Sequence, residues 1–566
     1  MRLGGHIAFV VAASEVALFL RGYHSPMRFP SDRAKALPQG LGLRQPSGAL
    51  APGPFPRMKT FDCFRRAFTL SLFLVRCGRL FAADREPFPT ALGLSGQELA
   101  HKICVQCHLF PEPDIMDRKA WESGALPLMF KRLGMSKLNP NGTAGEVQVL
   151  ADWQRICTYY LTAAPTNPLP PFPRPPIEIG LPGFEVIDPQ YRPGQQEVTL
   201  VQIDPSCSRL YVGNAASLSL DVLDSQGRVL SSMPMDSPPS SLIHGSDGWF
   251  VTLIGNVFPS DEPKGKIWQL EKQGDAFIKK REILGHLRRL TDIVCADLNG
   301  DGREDLVVSC FGHINGRLSW FENTTNRYVE HVLLDRPGAI RSWVRDFNQD
   351  GLPDVLVVMA QGQEGIFLLV NEGGGRFRNQ TIVARHPAWG SSGIDLADVD
   401  GDGLPDILAT NGDNGEFPSC LKKYHGVRIY RNEGSGHFTE KYFFPMNGAY
   451  RAMGTNFRAN GQVDIATISF FPDYHGSPEE SFVYLMAVAP FHYRAFSIPE
   501  ASRGRWLTMA IGDLDGNGSP DIVLGAFNRT PFPVPPSILA QWQTNGPSLL
   551  ILKNQRATNA SPKSRP

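Results

Sequence analysis

The chain has 566 residues, and its 56 lysines and arginines are balanced by 56 aspartates and glutamates. A neutral chain has no net field to attract nucleic acid or an anionic membrane, which excludes polyanion-binding proteins as a class. The 55 glycines and 47 prolines indicate many turns and argue against an all-helical protein. No apolar run reaches about 18 residues, so no membrane-spanning helix is expected.

The amino-terminal region contains two segments that we expect to lie outside the folded protein. Residues 1–57 are proline-rich and show no apolar periodicity, which predicts a disordered segment or a spurious extension ahead of a start at Met58. Residues 58–83 combine basic residues, the apolar run 67–75 and a small-residue end, the pattern of a secretory signal peptide. The protein is therefore expected to be periplasmic, secreted or held at the cell surface.

Cys104 and Cys107 lie three positions apart and are followed at once by His108. This is the spacing of c-type haem attachment, in which two thiols bind the porphyrin covalently and the imidazole binds the iron. Half of a zinc site would need a second pair of ligands nearby, and a thioredoxin-like redox pair would need a surrounding βαβ pattern. The motif predicts one covalently bound haem c.

Residues 84–164 are predicted to form a small all-α domain around this motif. Capping boxes at Ser95 with Glu98 and at Thr143 with Glu146 each open a helix. The second helix places one apolar face at helical spacing, formed by Val149, Trp153, Ile156 and Tyr160.

With the haem motif, residues 86–164 resemble bacterial c-type cytochromes. The resemblance implies electron transfer and a methionine as the sixth iron ligand. Met129 is favoured because it follows Leu126-Pro127; Met135 stays open, whereas Met116 is too close to His108 in sequence. Ordinary core packing is an equal alternative for each single methionine.

Beyond a proline-rich linker at residues 165–193, a nine-residue pattern, D-x-[DN]-x-[DN]-G-x-x-D, occurs four times. Oxygen donors at positions 1, 3 and 5 point into one tight loop, the glycine at position 6 permits the turn, and the aspartate at position 9 closes the cage. Oxygen ligands suit a hard cation, so about four Ca²⁺ ions are expected. The predicted ligands are Asp297, Asn299, Asp301 and Asp305; Asp346, Asn348, Asp350 and Asp354; Asp398, Asp400, Asp402 and Asp406; and Asp513, Asp515, Asn517 and Asp521.

These loops are not EF-hands. Each runs directly into an apolar, β-branched segment, where an EF-hand would need a glutamate at position 12 and flanking helices. A degenerate copy at residues 456–464 carries Arg458 at position 3, and only Asp464 keeps its carboxylate. We expect the guanidinium to replace the cation there.

The loops with their strands resemble FG-GAP repeats, also called VCBS repeats, over residues 285–555. Seven strand–turn–strand units begin near residues 198, 240, 290, 340, 390, 450 and 505. The resemblance and this count imply a mainly β protein, with a seven-bladed β-propeller at residues 194–558, preceded by the all-α cytochrome domain and followed by a disordered tail at 559–566.

In a four-stranded blade the loop between strands 1 and 2 lies on one face, and the 2-to-3 loops and blade crossings lie on the other. The cation loops are therefore expected to be scaffolding, and the second face to carry function. Residues that open the blades are expected to converge there near the central channel, where they either bind an anionic or sugar-like ligand or pack between blades: Arg289, Arg341, Trp343, Trp389, Arg451, Arg505 and Trp506. His313, His425 and His475 are expected to be plain surface histidines.

The sequence as a whole predicts an exported electron-transfer protein whose propeller binds a redox partner protein or an extracellular substrate. Two alternatives stay open: an oxidoreductase that oxidises a carbohydrate or alcohol at the propeller face and reduces the haem, and an adhesion or interaction module. No nucleophile or general-base constellation assigns a catalytic residue, and nothing in the sequence predicts the oligomeric state.

Overall fold

A computed structural model describes residues 93–415, 420–529 and 534–555. The predicted extension at 1–57, the signal peptide at 58–83 and the tail at 559–566 lie outside the described residues. No described helix is long and apolar enough to cross a membrane.

The helices and helical turns between Gly93 and Ala163 are the only regular secondary structure described in that segment. The helices are α1 (Gly96–Cys104), α2 (Arg118–Ala120), α3 (Leu126–Arg132) and α4 (Ala144–Ala163), with a π-helical turn joining α2 to α3. Both predicted capping boxes are confirmed. Ser95 Oγ accepts from Glu98 N at 3.3 Å and Ser95 N donates to Glu98 at 2.7 Å, and Thr143 and Glu146 exchange the same two bonds at 3.3 and 2.8 Å.

The described residues from 177 onward form seven β-sheets, the blades of a propeller, in which consecutive strands pair in antiparallel order. Blade 1 is β3 (Val198–Asp204), β4 (Arg209–Asn214), β5 (Ser219–Leu223) and β6 (Val229–Pro234). Blade 2 is β7 (Pro239–Gly245), β8 (Gly248–Leu253), β9 (Gly265–Gln273) and β10 (Ala276–Leu287). Blade 3 is β11 (Leu290–Ala296), β12 (Asp305–Cys310), β13 (Arg317–Asn323) and β14 (Tyr328–Leu334).

Blades 4 to 7 continue the same order. Blade 4 is β15 (Ala339–Arg345), β16 (Asp354–Met359), β17 (Glu364–Asn371) and β18 (Phe377–Arg385), and blade 5 is β19 (Ser391–Ala397), β20 (Asp406–Asn411), β21 (Gly426–Asn432) and β22 (Phe438–Pro445). Blade 6 is β23 (Ala449–Thr455), β24 (Asp464–Ser469), β25 (Phe482–Ala489) and β26 (His492–Ser497). Blade 7 contains β27 (Trp506–Gly512), β28 (Asp521–Ala526) and β29 (Leu549–Asn554), with α5 (Pro536–Asn545) between its last two strands.

The segment predicted as a linker, residues 165–193, supplies two propeller strands, so the propeller begins before residue 194. β2 (Phe184–Ile187) pairs antiparallel with β29 and is the fourth strand of blade 7. β1 (Ile177–Ile179) adds a parallel fifth strand to β26 of blade 6. The ring is thus closed by strands from opposite ends of the propeller sequence, which leaves blade 7 no open outer edge at β29.

The apolar cores lie between blades. Seven clusters of buried side chains each combine residues of two adjacent blades, including blade 7 with blade 1. The second strands of blades 3 to 7 are buried along their whole length, whereas the outer strands of blades 3 to 5 consist mainly of half-buried and exposed residues. Continuous apolar runs such as LVV and VLVV therefore mark the strands covered on both faces.

Candidate haem and cation sites

The four acidic loops connect the first and second strands of blades 3, 4, 5 and 7, as the sequence predicts. The aspartate at position 1 organises each loop through both carboxylate oxygens. In blade 3, Asp297 accepts from the N–H groups of Gly300 at 2.8 Å and Gly302 at 2.9 Å, and Asp346, Asp398 and Asp513 repeat this arrangement. Gly302 has φ of +82°, so a residue with a Cβ would be strained at position 6.

The aspartate at position 9 is held inside the blade rather than at the loop surface. In blade 4 the fully buried Asp354 accepts from Phe347 N at 3.1 Å and from Asn371 N at 2.8 Å. Asp305, Asp406 and Asp521 repeat both bonds. Burial raises the pKa of Asp406 and of Asp521 to about 6. The position-9 carboxylate therefore fastens the loop to the blade in addition to any cation that it holds.

The asparagine at the end of the third strand is a residue whose role sequence reasoning missed. Asn371 Nδ2 donates to Pro353 O in its own blade at 3.1 Å and to Leu298 O of blade 3 at 3.0 Å. Asn554 does the same with Pro520 O and Phe457 O. The asparagine that recurs at the end of the third strand in blades 3, 4, 5 and 7 was the available signal, and in blades 4 and 7 it bonds the loop of its own blade to that of the blade before it.

Two of the loops bring three carboxylates together. In blade 5, oxygens of Asp398, Asp400 and Asp406 lie within 4.8 Å of one another, as do those of Asp513, Asp515 and Asp521 in blade 7. The loops of blades 3 and 4 have Asn299 and Asn348 at position 3. Asp402 at position 5 of the blade 5 loop instead contacts Arg431, which also contacts Asp400. The carboxylates of positions 1, 3 and 9 are the groups that could hold a cation.

In the degenerate loop of blade 6 the positive charge beside the position-9 carboxylate is the side chain of Arg458. Arg458 donates from Nε and Nη2 to the two oxygens of the fully buried Asp464, at 2.7 and 2.8 Å. The guanidinium thus lies against the position-9 carboxylate as the sequence predicts.

Replacing Arg458 with methionine is expected to lower the free energy of unfolding by about 3–5 kcal/mol, because it leaves the buried charge of Asp464 without its partner. Urea denaturation measures the change. The matched control is Arg303→Met, which removes a guanidinium from the partly exposed Asp301 of blade 3 and is expected to cost less than about 1 kcal/mol. Equal losses in the two variants would contradict the assignment.

The haem motif lies where α1 ends. Cys104 is half-buried and Cys107 exposed, and both are free thiols. His108 Nδ1 lies 2.8 Å from Leu109 O, and donation along this contact selects the tautomer whose Nε2 lone pair can bind a metal. Burial raises the pKa of the Cys104 thiol to about 11. These residues fit a covalently held haem.

An aromatic cluster surrounds the buried side of the motif. Trp121 and Tyr160 lie with their ring centroids 4.2 Å apart, and Phe110 stacks on His101 at 3.7 Å. Tyr160 OH donates to Pro111 O at 3.0 Å. The predicted apolar face of α4 is confirmed in Trp153, Ile156 and Tyr160, all of which are buried. Of the methionines, Met129 is half-buried and Met135 buried, so which of them is an iron ligand stays a prediction.

The haem motif lies beside the 2-to-3 loops and crossings of blades 4 and 5, on the face opposite the cation loops. A Cβ placed on Gly362, between β16 and β17, would lie 4.0 Å from Cys107 O. Asp114 lies 4.0 Å from Lys423, in the connection from β20 to β21. Burial, together with the charges of Lys422 and His108, lowers the pKa of His386, on the crossing from blade 4 to blade 5, to about 3.

The residues that open the blades divide into two groups. Arg341, Trp343 and Arg451 line a cavity of about 610 Å³ formed by the first strands of all seven blades. Arg289 and Arg505 lie at its loop-face end, where both interact electrostatically with Tyr450. Trp389 instead stacks on Tyr424, and Trp506 is fully buried with its Nε1 bonded to Ala501 O. The predicted ring is thus formed by the arginines and Trp343, without the other two tryptophans.

The three predicted surface histidines differ in burial: His475 is exposed, His313 is half-buried and His425 is only 3% exposed. Burial among Lys422 and Arg428 lowers the pKa of His425 well below the usual range. The prediction for His425 was wrong because most of residues 420–425, just before β21, are buried.

Glu364, at the start of β17, is a buried carboxyl that sequence reasoning also missed. It is 2% exposed and accepts from the Ser391 N–H, and burial raises its pKa from 4.5 to about 8.

Because folded Glu364 holds its proton up to about pH 8 and the unfolded chain releases it near pH 4.5, the native state binds more protons between these values. The free energy of unfolding is expected to fall as pH rises through this window, by up to about 1.4 kcal/mol per pH unit. Glu364→Gln removes this contribution, so the stability of the variant relative to wild type should rise from pH 5 to pH 8 in urea denaturation. Parallel pH profiles would contradict the pKa shift.

Comparison with known proteins supports the propeller. Residues 346–409, from the cation loop of blade 4 into the second strand of blade 5, match the FG-GAP-like repeat family. A search of curated proteins found no significant match.

Among solved structures, the chain is similar to a streptogramin B lyase at 13% identity, with 65% of this chain and 97% of that chain covered and a TM-score of 0.41. It is also similar to a luciferin-regenerating enzyme, at 11% identity over 51% of this chain and 88% of that chain, with a TM-score of 0.34. It is similar as well to the Pan2 WD40 domain of Neurospora crassa, at 8% identity over 67% of this chain and 97% of that chain, with a TM-score of 0.41. The chain therefore carries an FG-GAP-like repeat within a seven-bladed β-propeller.

Proposed function

We propose that this chain is an exported c-type cytochrome that transfers electrons through a haem held by Cys104, Cys107 and His108, with a calcium-stabilised propeller that binds the substrate or redox partner. The observation that carries the proposal is the position of the haem motif, whose Cys107 carbonyl lies beside Gly362 on the loop face of the propeller. A molecule bound on this face would lie near the exposed thiol edge of the motif.

The chain contributes attachment, orientation and exclusion of water. Cys104 and Cys107 would anchor the porphyrin, and the contact of His108 Nδ1 with Leu109 O would leave Nε2 as the nitrogen available to the iron. The cluster of Trp121, Tyr160 and Phe110 covers the buried side of the site. When bound, a haem supplies reversible one-electron chemistry, with a potential set by its axial ligands and by its burial. Met129 is the proposed sixth ligand.

The propeller is a platform rather than the redox centre. The acidic loops of blades 3, 4, 5 and 7 each pin one turn on the face opposite the haem motif, and we propose that each binds Ca²⁺. A divalent cation there would compensate the repulsion among Asp398, Asp400 and Asp406. The loop face is left for recognition, since loops on a rigid scaffold commonly carry function.

The test is a pyridine haemochrome spectrum of the chain matured in a host that attaches haem. One haem per chain supports the proposal, and its absence from a folded chain overturns the electron-transfer role. Mixing the oxidised protein with candidate sugars and alcohols then separates two roles. Direct haem reduction would support the oxidoreductase alternative, whereas reduction only through an added redox protein supports electron transfer.

An interaction module is the second candidate function. It is favoured by the FG-GAP-like repeat and by the loop face, both of which belong to the propeller and do not depend on haem. Ligand binding by a chain that contains no haem after maturation would support this reading.

A further inference from the structure

The central channel of the propeller holds four arginines. Arg289 and Arg505 lie immediately before β11 and β27, at the loop-face end, and Arg341 and Arg451 lie within β15 and β23. Because the first strand of every blade starts at the loop face, the two pairs form an outer and an inner tier. Arg341 and Arg451 line the cavity of about 610 Å³, which is in the size range of small-molecule sites.

The inner tier faces two carboxylates, Asp395 and Asp292, which balance the charges of its two arginines from a distance. Arg451 Nη2 is 3.9 Å from Asp395 Oδ2, too far for a hydrogen bond, and its buried Nε has no hydrogen-bond partner. Asp292, the other carboxylate nearby, accepts from Ser241 Oγ at 3.1 Å and from Ser342 N at 3.2 Å. Neutral donors therefore share this carboxylate with the guanidinium groups. Burial and the charge of Arg341 together lower the pKa of Arg451 to about 9.

The hydrogen bonds and ring contacts of the outer tier are made to neutral groups, and Asp413 is the carboxylate near both arginines. Arg289 donates to Val257 O at 3.0 and 3.2 Å and lies over the ring of Phe311, with Cζ 4.5 Å from its centroid. Arg505 donates to Phe470 O at 2.7 Å and lies over the same residue's ring at 4.3 Å. Carbonyl oxygens and aromatic faces orient a cation without cancelling its charge. The charge of Asp413 offsets one of the two arginines, so the loop-face mouth keeps a net positive charge that attracts anions.

The walls between the charges suit a carbon skeleton. Leu242, Ile293 and Met453 supply apolar surface, and Ser241 and Thr508 supply hydroxyl groups. The Thr508 oxygen is buried without a hydrogen-bond partner. Two guanidinium groups give the planar donor geometry that carboxylates accept.

We propose that the channel binds a small organic acid, whose carboxylate lies between Arg341 and Arg451 and whose carbon chain lies against the apolar walls. The inference rests on the binding role proposed for the propeller and not on the haem. It assigns the inner arginines as ligand-binding residues and the outer pair as the charged entrance.

Isothermal titration of the full chain with succinate tests the proposal, with the uncharged succinamide and inorganic phosphate as comparison ligands. We expect saturable binding of succinate, no binding of succinamide, and weaker binding of phosphate, which cannot use the apolar walls. The proposal is overturned if neither succinate nor a sugar acid such as galacturonate binds, or if succinamide binds as well as succinate.

Variants locate the site. Arg341→Met and Arg451→Met are each expected to weaken succinate binding about 10- to 100-fold, since each removes a charge-assisted hydrogen bond. Arg345→Met is the matched control, because Arg345 lies at the other end of the same strand and is exposed. Arg451→Lys, which keeps the charge, is expected to retain part of the affinity if Arg451→Met folds poorly. Unchanged affinity in both methionine variants would overturn the site.

The test of succinate binding can be distinguished from the test of haem attachment, because each uses different variants and a different measurement. Replacement of Cys104 and Cys107 is expected to leave succinate affinity unchanged, and the two channel variants are expected to keep the haem content of the wild-type chain. Loss of succinate binding in the cysteine variant would overturn a channel site that works without haem.

Discussion

Replacement of both Cys104 and Cys107 by serine is expected to abolish covalent haem attachment while leaving the propeller folded. The thioether bonds need the sulfur atoms, whereas serine keeps a similar volume at the end of α1. Co-expression with the maturation machinery, followed by haem staining of the denatured chain, measures the loss. A stained double variant would place the attachment elsewhere.

Two histidine substitutions in the same segment distinguish the loss of an axial ligand from a general disturbance of the fold. His108→Ala is expected to remove the proximal ligand and convert or abolish the low-spin spectrum, because its imidazole is the only one in the attachment motif. His101→Ala is the matched control. His101 is exposed in α1 and stacks on Phe110, so its loss is expected to leave the spectrum unchanged. Equal spectral changes in the two variants would contradict His108 as the ligand.

The repeating part of the fold could be predicted because its signals are local. The predicted units near residues 290, 340 and 390 coincide with β11, β15 and β19. An aspartate that binds N–H groups three and five residues later, followed by a glycine with positive φ, shapes a loop from within nine residues. The apolar run that follows then marks a strand buried on both faces.

The closure of the ring could not be predicted in the same way. β2 is four residues long and carries no acidic loop, and its partner β29 lies more than 300 residues away in sequence. Pairing at that distance is decided by the complete ring, which leaves β29 without an outer neighbour until β2 adds to it. The proline-rich composition just before β1 made the whole segment resemble a spacer.

The site residues show a similar division between local and non-local information. Arg458 could be assigned to Asp464 because both belong to one nine-residue loop. The burial of Glu364 depends on packing between blades 4 and 5, which no single repeat encodes. The burial of His425 depends on the residues just before β21, in a connection whose length is particular to blade 5. The proximity of Cys107 and Gly362 is also a tertiary contact, because the two residues are far apart in sequence and belong to no common motif.

Removal of calcium is expected to destabilise the propeller more than any single substitution. A site at 100 times its dissociation constant contributes about 2.7 kcal/mol, so four independent sites would contribute about 10 kcal/mol, as much as the whole stability of many domains. Thermal unfolding with excess EGTA and after calcium is restored measures the effect. An unchanged melting temperature would contradict calcium binding by the loops.

Substitutions in single loops test whether the stabilisation by calcium comes from the predicted ligands. Asp346→Asn in blade 4 keeps one acceptor oxygen for the N–H groups of Gln349 or Gly351 and loses both the second acceptor and the charge, so bound calcium is expected to fall from four ions to three per chain. Asn456→Ala is the matched control at the same position of the blade 6 loop, where Arg458 already lies against Asp464. It is expected to leave the calcium content unchanged, because that cage is filled by a side chain. Loss of calcium from both variants would show that the ion is not held by the acidic pattern, whereas loss from Asp346→Asn alone ties each ion to the position-1 carboxylate.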